Sequence, residues 1–167
     1  MCHFFECIFL EETGMELDAA SRYQQLEEYK KTLKPLLRYL PWLEQTSGGE
    51  VSKNYSGEDT VMRFPVYDGT LMNFVRELSK TAFMDKNYRY VYTRNRIMNH
   101  DDERRFIEKA TIKEWDVLCG ILSKYVLGGQ TRATLWNEAV KERIFYLVIQ
   151  KMCEIIEFWD KQFGKKL

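Results

Sequence analysis

Segment 86–96 carries the residues that are best suited to bind a charged partner. Four cations and three tyrosines are interleaved there without an acid among them: Lys86, Tyr88, Arg89, Tyr90, Tyr92, Arg94 and Arg96. Tyrosine rings stack on unpaired bases and guanidinium groups hold phosphate, which is typical of surfaces for single-stranded nucleic acid or a nucleotide. Tyrosine and arginine are also enriched at protein interfaces. An ordinary strand with a solvated cationic side gives the same alternation.

Two groups of metal-ligand residue types lack the spacing of a metal site. His100 precedes the acids 101–103, but adjacent residues at a helix start rarely converge on one ion, and no second histidine lies three or four residues away. These acids also suit the positive end of a helix. Cys2, His3 and Cys7 have no second half-site. We therefore expect neither a metal nor a cofactor.

The sequence contains no catalytic set that we can identify. Asp68, Glu77 and Lys80 are residue types found in nucleases, but two residues separate Glu77 from Lys80, so they would not share one face of a strand. The glycine pair 128–129 lacks the lysine and hydroxyl of a phosphate-binding loop. The sequence predicts a protein that is not an enzyme.

Composition limits the domain organisation and the field around the protein. A chain of 167 residues suffices for one domain and is short for two. Lysine plus arginine and aspartate plus glutamate both number 25, so no overall field draws the protein to nucleic acid or to an anionic membrane. Any nucleic-acid role would need a local patch. The four cysteines show no paired spacing, which favours a reducing cytoplasm.

The chain divides into an extension and a domain. We expect residues 1–14 to be a poorly ordered N-terminal extension and not a signal peptide, because they lack a basic start and end in acids. Residues 15–167 are expected to form a single helical domain. A flexible loop is predicted at about 45–60, which is polar and has three glycines.

Apolar spacing predicts the first helices and a small ribbon. Pro35 interrupts a helical pattern, so we expect a helix over about 18–31 and a short one from about Pro35 to Tyr39, which Pro41 closes. Residues 61–67 contain Pro65 and can only be an edge strand or an extended segment. Segment 83–99 alternates like a strand, and we expect it to pair with residues 61–67 as a two-stranded ribbon.

Polar residues predict where the later helices begin. Asp68 or Thr70 caps one helix, and Asp101 or Asp102 caps another that runs to about Lys109.

A further helix is predicted between a capping box and a glycine pair. Thr111 and Glu114 match the box, and residues 128–129 are expected to end the helix in the left-handed conformation. Thr131 or Thr134 starts the next helix. Whether that helix runs on into the last one stays open, because no glycine or proline marks a break.

Residues 144–159 form the stretch around which the other helices are expected to pack. Their four polar residues fall on one arc of about 120°, which leaves about two-thirds of the circumference apolar. A membrane span needs about 20 mostly apolar residues, whereas this run is shorter and carries three charges. We expect Leu147, Val148, Met152 and Ile155 to be deeply buried. The predicted fold is mainly α, a compact domain of about six helices around this central helix, with the small β ribbon.

Three patterns in order suggest a relationship. They are LLRYLPWLE, then FPVYDGTLMNFVRELSKTAF, then ILSKYV followed by LWNEAVKERIFYLVIQKM, between Leu36 and Glu157. In this order the chain resembles a family of small bacterial proteins of unknown function that often occur in phages and mobile elements. The resemblance implies no catalytic residue. It implies a context in which small neutral proteins bind and block a host component.

The functional expectation is a non-enzymatic protein–protein interaction module. Its partner is expected to be a host or mobile-element protein, and a phage or mobile-element inhibitor of a host defence protein, such as a CRISPR nuclease, fits that context. The alternative is a regulator that binds nucleic acid through segment 86–96. A hydrolase that uses Asp68, Glu77 or the acids after His100 is a third class. We expect a cytoplasmic protein without membrane attachment.

Overall fold

The structure, a computed structural model, describes residues 19–49, 52–55, 64–132 and 134–164. The expected mainly α fold is confirmed. In chain order the elements are helix α1, described over residues 19–33, a 3₁₀ helix Lys34–Tyr39, α2 Leu40–Thr46, β1 Ser52–Tyr55, β2 Phe64–Tyr67, α3 Gly69–Ser79, α4 Tyr88–Asn95, α5 His100–Lys109, a 3₁₀ helix Ile112–Glu114, α6 Trp115–Gly128, α7 Leu135–Lys141 and α8 Ile144–Gly164. The predicted extension at residues 1–14 lies outside the described residues.

Helix α8 is the central helix that its apolar circumference predicts. It packs against α2, α5, α6 and α7. Val148, Met152 and Ile155 are buried as expected. The prediction for Leu147 is wrong, because it is only half-buried at an open hollow beside α5. After Ile156 the helix is less buried, and Phe158 is 57% exposed. No helix in the described part of the chain is long and apolar enough to cross a membrane.

A left-handed residue separates α7 from α8. Arg143 has φ 64°, which breaks the helical path although neither glycine nor proline is present. The predicted left-handed conformation at the end of α6 is wrong, since Gly129 has φ −67°. Glycine is needed at position 129 because there is no room for a side chain. A Cβ atom on Gly129 would clash with Nε1 of Trp136, so the indole of this α7 residue packs directly on the backbone.

The ribbon exists, but the predicted pairing is wrong. Strands β1 and β2 pair antiparallel, with Ser52 opposite Tyr67 and Tyr55 opposite Phe64. The predicted edge strand at 61–67 is therefore present over residues 64–67. Its partner lies within the segment predicted as a loop at about 45–60, and that segment also begins inside α2. Segment 83–99 contributes no strand, because it contains α4.

Several predicted helix ends are confirmed and two are wrong. The Asp68 side chain accepts a hydrogen bond from the Thr70 amide at 2.7 Å, which caps α3. Thr111 and Glu114 form the reciprocal capping box before α6. Pro41 lies in the first turn of α2 and so begins a helix rather than ending one, since the first turn does not use the amide that proline lacks. The cap of α5 is Asn99, whose side chain accepts from the Asp102 amide.

Candidate binding surface on helix α4

Helix α4 presents the residues of segment 86–96, and a backbone motif fixes its end. The amide of Arg96 donates to the Thr93 carbonyl at 3.3 Å and the amide of Ile97 donates to the Tyr92 carbonyl at 3.0 Å. This pair of bonds is a Schellman motif, in which one residue must adopt the left-handed conformation. Arg96 does so, with φ 54°. Because an arginine occupies the position that glycine usually takes, no residue type in the sequence marks this helix end.

The inner face of α4 packs on α6. Val91 is buried, and a Cβ atom on Gly120 would lie 2.8 Å from its Cγ1 atom. Asn95 is half-buried and donates through Nδ2 to the Val91 carbonyl at 2.8 Å. Tyr88 and Tyr92 are half-buried on the same side. The strand predicted from the alternating tyrosines is wrong because tertiary packing selects a helix, in which residues 88 and 92 share one face.

The remaining predicted site residues lie on the outer side of α4 or next to its two ends. Five of the seven are exposed: Lys86, Arg89, Tyr90, Arg94 and Arg96. Tyr90 is 66% exposed, and the exposed Arg94 lies one turn further along on the same side of the helix. Arg89 is the exposed residue that precedes Tyr90. Within the described ranges, none of the four cations has a carboxylate oxygen within 4.0 Å. These five residues are called the α4 face below.

Tyr92 does not belong to the α4 face, because it binds a buried carboxylate. Glu103 of α5 is fully buried. Its Oε1 accepts from the Tyr92 hydroxyl at 2.5 Å and from Lys124 Nζ at 2.7 Å. Its Oε2 accepts from the Tyr125 hydroxyl at 2.7 Å and lies 3.0 Å from His100 Nδ1. This set is called the Glu103 cluster.

The Glu103 cluster is built to hold helices rather than to react. Burial raises the pKa of Glu103, but the hydrogen bonds from Lys124, Tyr92 and Tyr125 outweigh it and hold that pKa below its ordinary value. Burial and the carboxylate together raise the pKa of Tyr92 and of Tyr125 well above the ordinary range. The Glu103 carboxylate therefore stays charged and the two phenols stay protonated near neutral pH. The cluster joins α4, α5 and α6, and the sequence signal for it was the position of Glu103 four residues before the buried Ile107.

An open cleft of about 440 Å³ lies between the end of α4 and α5. Its lining comprises Asn95, Arg96, Ile97, Asp102, Arg105, Phe106, Lys109, Ala110 and Glu114. Both of its acids are engaged. Asp102 pairs with Arg105 and accepts from the Met98 amide at 3.0 Å, and this amide contact is the main reason that its pKa is lowered. Glu114 accepts from the Thr111 hydroxyl at 2.7 Å and from its amide at 2.8 Å, which lowers its pKa too.

The other candidate sites do not assemble. Across the described ranges, no group of three or more histidines, cysteines or acids could hold a metal ion. Glu77 accepts from the Tyr39 hydroxyl at 3.0 Å and pairs with Arg38, while Asp68 serves as a helix cap. Cys2, His3 and Cys7 lie outside the described residues.

Comparison with protein-family models, with curated proteins and with solved structures finds no match for this chain. The class of the protein is therefore argued from its own surface. The resemblance to a phage-associated family stays a prediction.

Proposed function

We propose that the protein is a non-enzymatic interaction module that binds an acidic partner protein through the α4 face. The observation that supports this proposal is the exposure of Tyr90 between Arg89 and Arg94, with no carboxylate of the described residues beside either guanidinium. Exposed arginine and tyrosine are the residue types that most often supply binding energy at interfaces. Free guanidinium groups also pair in two-pronged fashion with carboxylates.

The shape and charge of the molecule favour a protein partner over nucleic acid. Most of the α4 face lies on one helix of eight residues, so it offers few positions at which a phosphate backbone could be held. The whole chain is neutral, so attraction to a polyanion would come from a few residues only. A host or mobile-element protein with an acidic patch, for example a host defence nuclease, is the partner that we propose.

The cysteines suit a reducing compartment, and we place the protein in the cytoplasm. Cys119 and Cys153 are both free thiols. Burial, with a smaller effect of nearby Asp116, raises the pKa of Cys119 to about 12. The thiol stays protonated near neutral pH and is a poor nucleophile.

Charge-matched variants test the proposal in a capture experiment from lysate of the source cell. Arg89→Ala/Arg94→Ala removes two cations from the α4 face, and Lys31→Ala/Lys161→Ala removes two exposed cations elsewhere. We expect wild type and the lysine variant to capture the same protein, and the arginine variant to bind it at least about tenfold more weakly when the purified pair is titrated. Equal binding by all three proteins would refute the α4 face as the interface.

Binding of single-stranded nucleic acid is the second candidate, because tyrosine and arginine also stack on bases. A filter-binding titration of an unstructured oligonucleotide at several salt concentrations decides between the two. Phosphate contacts require an affinity that falls steadily with salt and falls further in Arg89→Ala/Arg94→Ala. If the affinity depends on salt and on both arginines in this way, and no protein is captured, the partner is nucleic acid rather than a protein.

A further inference from the structure

The cleft between α4 and α5 has the features of a small-molecule site. We propose that it binds a nucleotide, with the phosphate on Arg96 and Lys109 and the base against Phe106. The ligand class is a phosphate ester that carries a flat aromatic group, either free or at the end of a single strand. This site is separate from the outer face of α4 and shares only Arg96 with it.

The size and the walls of the cleft suit such a ligand. Ligand sites commonly have volumes of about 300–1,000 Å³, and this open cleft has about 440 Å³. Ile97 and Ala110 are buried, and Phe106 is half-buried against the core. An aromatic ring and aliphatic groups thus lie in the same cleft as the cations. A bare phosphate or an acidic side chain would leave this apolar wall in contact with water.

The charges of the cleft favour an anion. Three cations line it, Arg96, Arg105 and Lys109, and two acids accompany them. Arg105 offsets the charge of Asp102, and Glu114 keeps its charge within the capping box, so the cations of the lining outnumber its acids by one. Arg96 and Lys109 have no carboxylate partner among the residues that the structure describes. A phosphate that enters the cleft can therefore bind Arg96 and Lys109 without displacing a carboxylate from either of them.

The backbone at Arg96 supplies an independent observation. Its left-handed conformation is one that residues with a Cβ atom rarely adopt and that glycine adopts freely. Arg143 shares this conformation, but its guanidinium lies over the Tyr146 ring at 5.5 Å and so has a contact on its own helix. Within the described part of the chain, the guanidinium of Arg96 has no ring or carboxylate contact that would explain why an arginine rather than a glycine occupies this position. Residues held in disfavoured conformations cluster at ligand sites.

Amide NMR of the full chain, titrated with 5′-AMP, tests the proposal. We expect shifts at the amides of Arg96, Ile97, Phe106 and Lys109, and a smaller affinity for inorganic phosphate or adenosine alone. A 5′-phosphorylated trinucleotide distinguishes the two sources of the ligand. Tighter binding than 5′-AMP indicates the end of a strand, and equal or weaker binding indicates a free nucleotide.

Two variants and their matched controls make the test specific. Arg96→Gly should bind 5′-AMP at least about tenfold more weakly, while its thermal midpoint stays equal or rises, because glycine suits the left-handed position. Arg143→Gly makes the same backbone change away from the cleft and should bind normally. Lys109→Gln should lose affinity in the same way, and the exposed Lys161→Gln should not.

Several outcomes would overturn the nucleotide site. These are shifts that avoid the cleft, no shifts up to about 1 mM 5′-AMP, equal affinity for phosphate or adenosine alone, or unchanged affinity in both Arg96→Gly and Lys109→Gln. The partner-protein proposal is tested with Arg89 and Arg94 instead. Failure of one proposal therefore leaves the other standing.

Discussion

Replacing Glu103 by glutamine removes the charge of the Glu103 cluster and keeps the shape of the side chain. Lys124 and His100 are 28% and 34% exposed, so both can turn to water when the carboxylate is gone. Tyr125 is fully buried, so its hydroxyl cannot turn to water. A hydrogen bond to a charged group contributes about 1.5–3 kcal/mol, and glutamine keeps only one acceptor oxygen for the two tyrosines. We expect Glu103→Gln to lower the free energy of unfolding by about 2–3 kcal/mol, which corresponds to about 5–10 °C in thermal midpoint for a domain of this size.

The pH dependence of stability gives the same prediction a second measurement. The pKa of Glu103 lies below its ordinary value of 4.5 in the folded protein. As the pH falls, the unfolded chain binds the proton first, so the stabilisation is complete above about pH 4.5 and is lost as the pH falls through the folded-state pKa. Other acids contribute to the acid loss of wild type, but the difference between wild type and Glu103→Gln isolates this carboxylate. We expect that difference to shrink in acid.

Urea unfolding followed by circular dichroism measures both effects, with Glu108→Gln as the control on the exposed side of α5. The control should change the free energy of unfolding by less than about 0.5 kcal/mol. Tyr92→Phe should cost less in the Glu103→Gln background than in wild type, because the two residues are coupled. The account of the cluster is refuted if Glu103→Gln behaves like Glu108→Gln, or if Tyr92→Phe costs the same in both backgrounds.

Two further predictions concern the packing of α6. Gly120→Ala should lower the free energy of unfolding by about 1–3 kcal/mol in the same urea assay, because its Cβ atom would lie 2.8 Å from Val91. The double variant Gly120→Ala/Val91→Ala should recover most of this loss, and an unchanged loss in that variant would contradict the clash. Cys119 should react with iodoacetamide at pH 8 far more slowly in the folded than in the urea-unfolded protein, since its pKa is raised to about 12. Peptide mapping by mass spectrometry measures the rate of alkylation, and equal rates in the two states would show that the thiol is not protected.

Sequence patterns predicted the parts of the fold that depend on local chemistry. The capping box at Thr111, the cap at Asp68 and the apolar circumference of α8 are encoded within a few residues, and all three are confirmed. The strand prediction for segment 83–99 failed because its alternating tyrosines suit a strand, whereas the packing of Val91 against Gly120 involves a residue far along the chain. The prediction that Leu147 is deeply buried failed for a related reason. A pattern gives the apolar arc of a helix but not which neighbour covers its border.

The candidate site could be predicted in composition but not in geometry. Segment 86–96 was recognised from its residue types, and five of its seven residues are exposed together. The other two, Tyr88 and Tyr92, are half-buried, and nothing near Tyr92 in the sequence shows that it meets Glu103. No pattern in the sequence predicts the cleft, since its lining residues Arg96, Phe106 and Lys109 come from two helices and the left-handed turn between them.

The two faces of α4 have linked roles. Val91 fits against Gly120 and Tyr92 is anchored on Glu103, so the inner face fixes the rotation of the helix about its axis. That rotation leaves Arg89, Tyr90 and Arg94 exposed as a preformed set, and such a set would lower the entropic cost of the partner binding that we propose. A variant that loosens the inner face, such as Gly120→Ala, should therefore weaken partner binding although it changes no exposed residue. Unchanged affinity in that variant would show that the α4 face does not depend on its anchors.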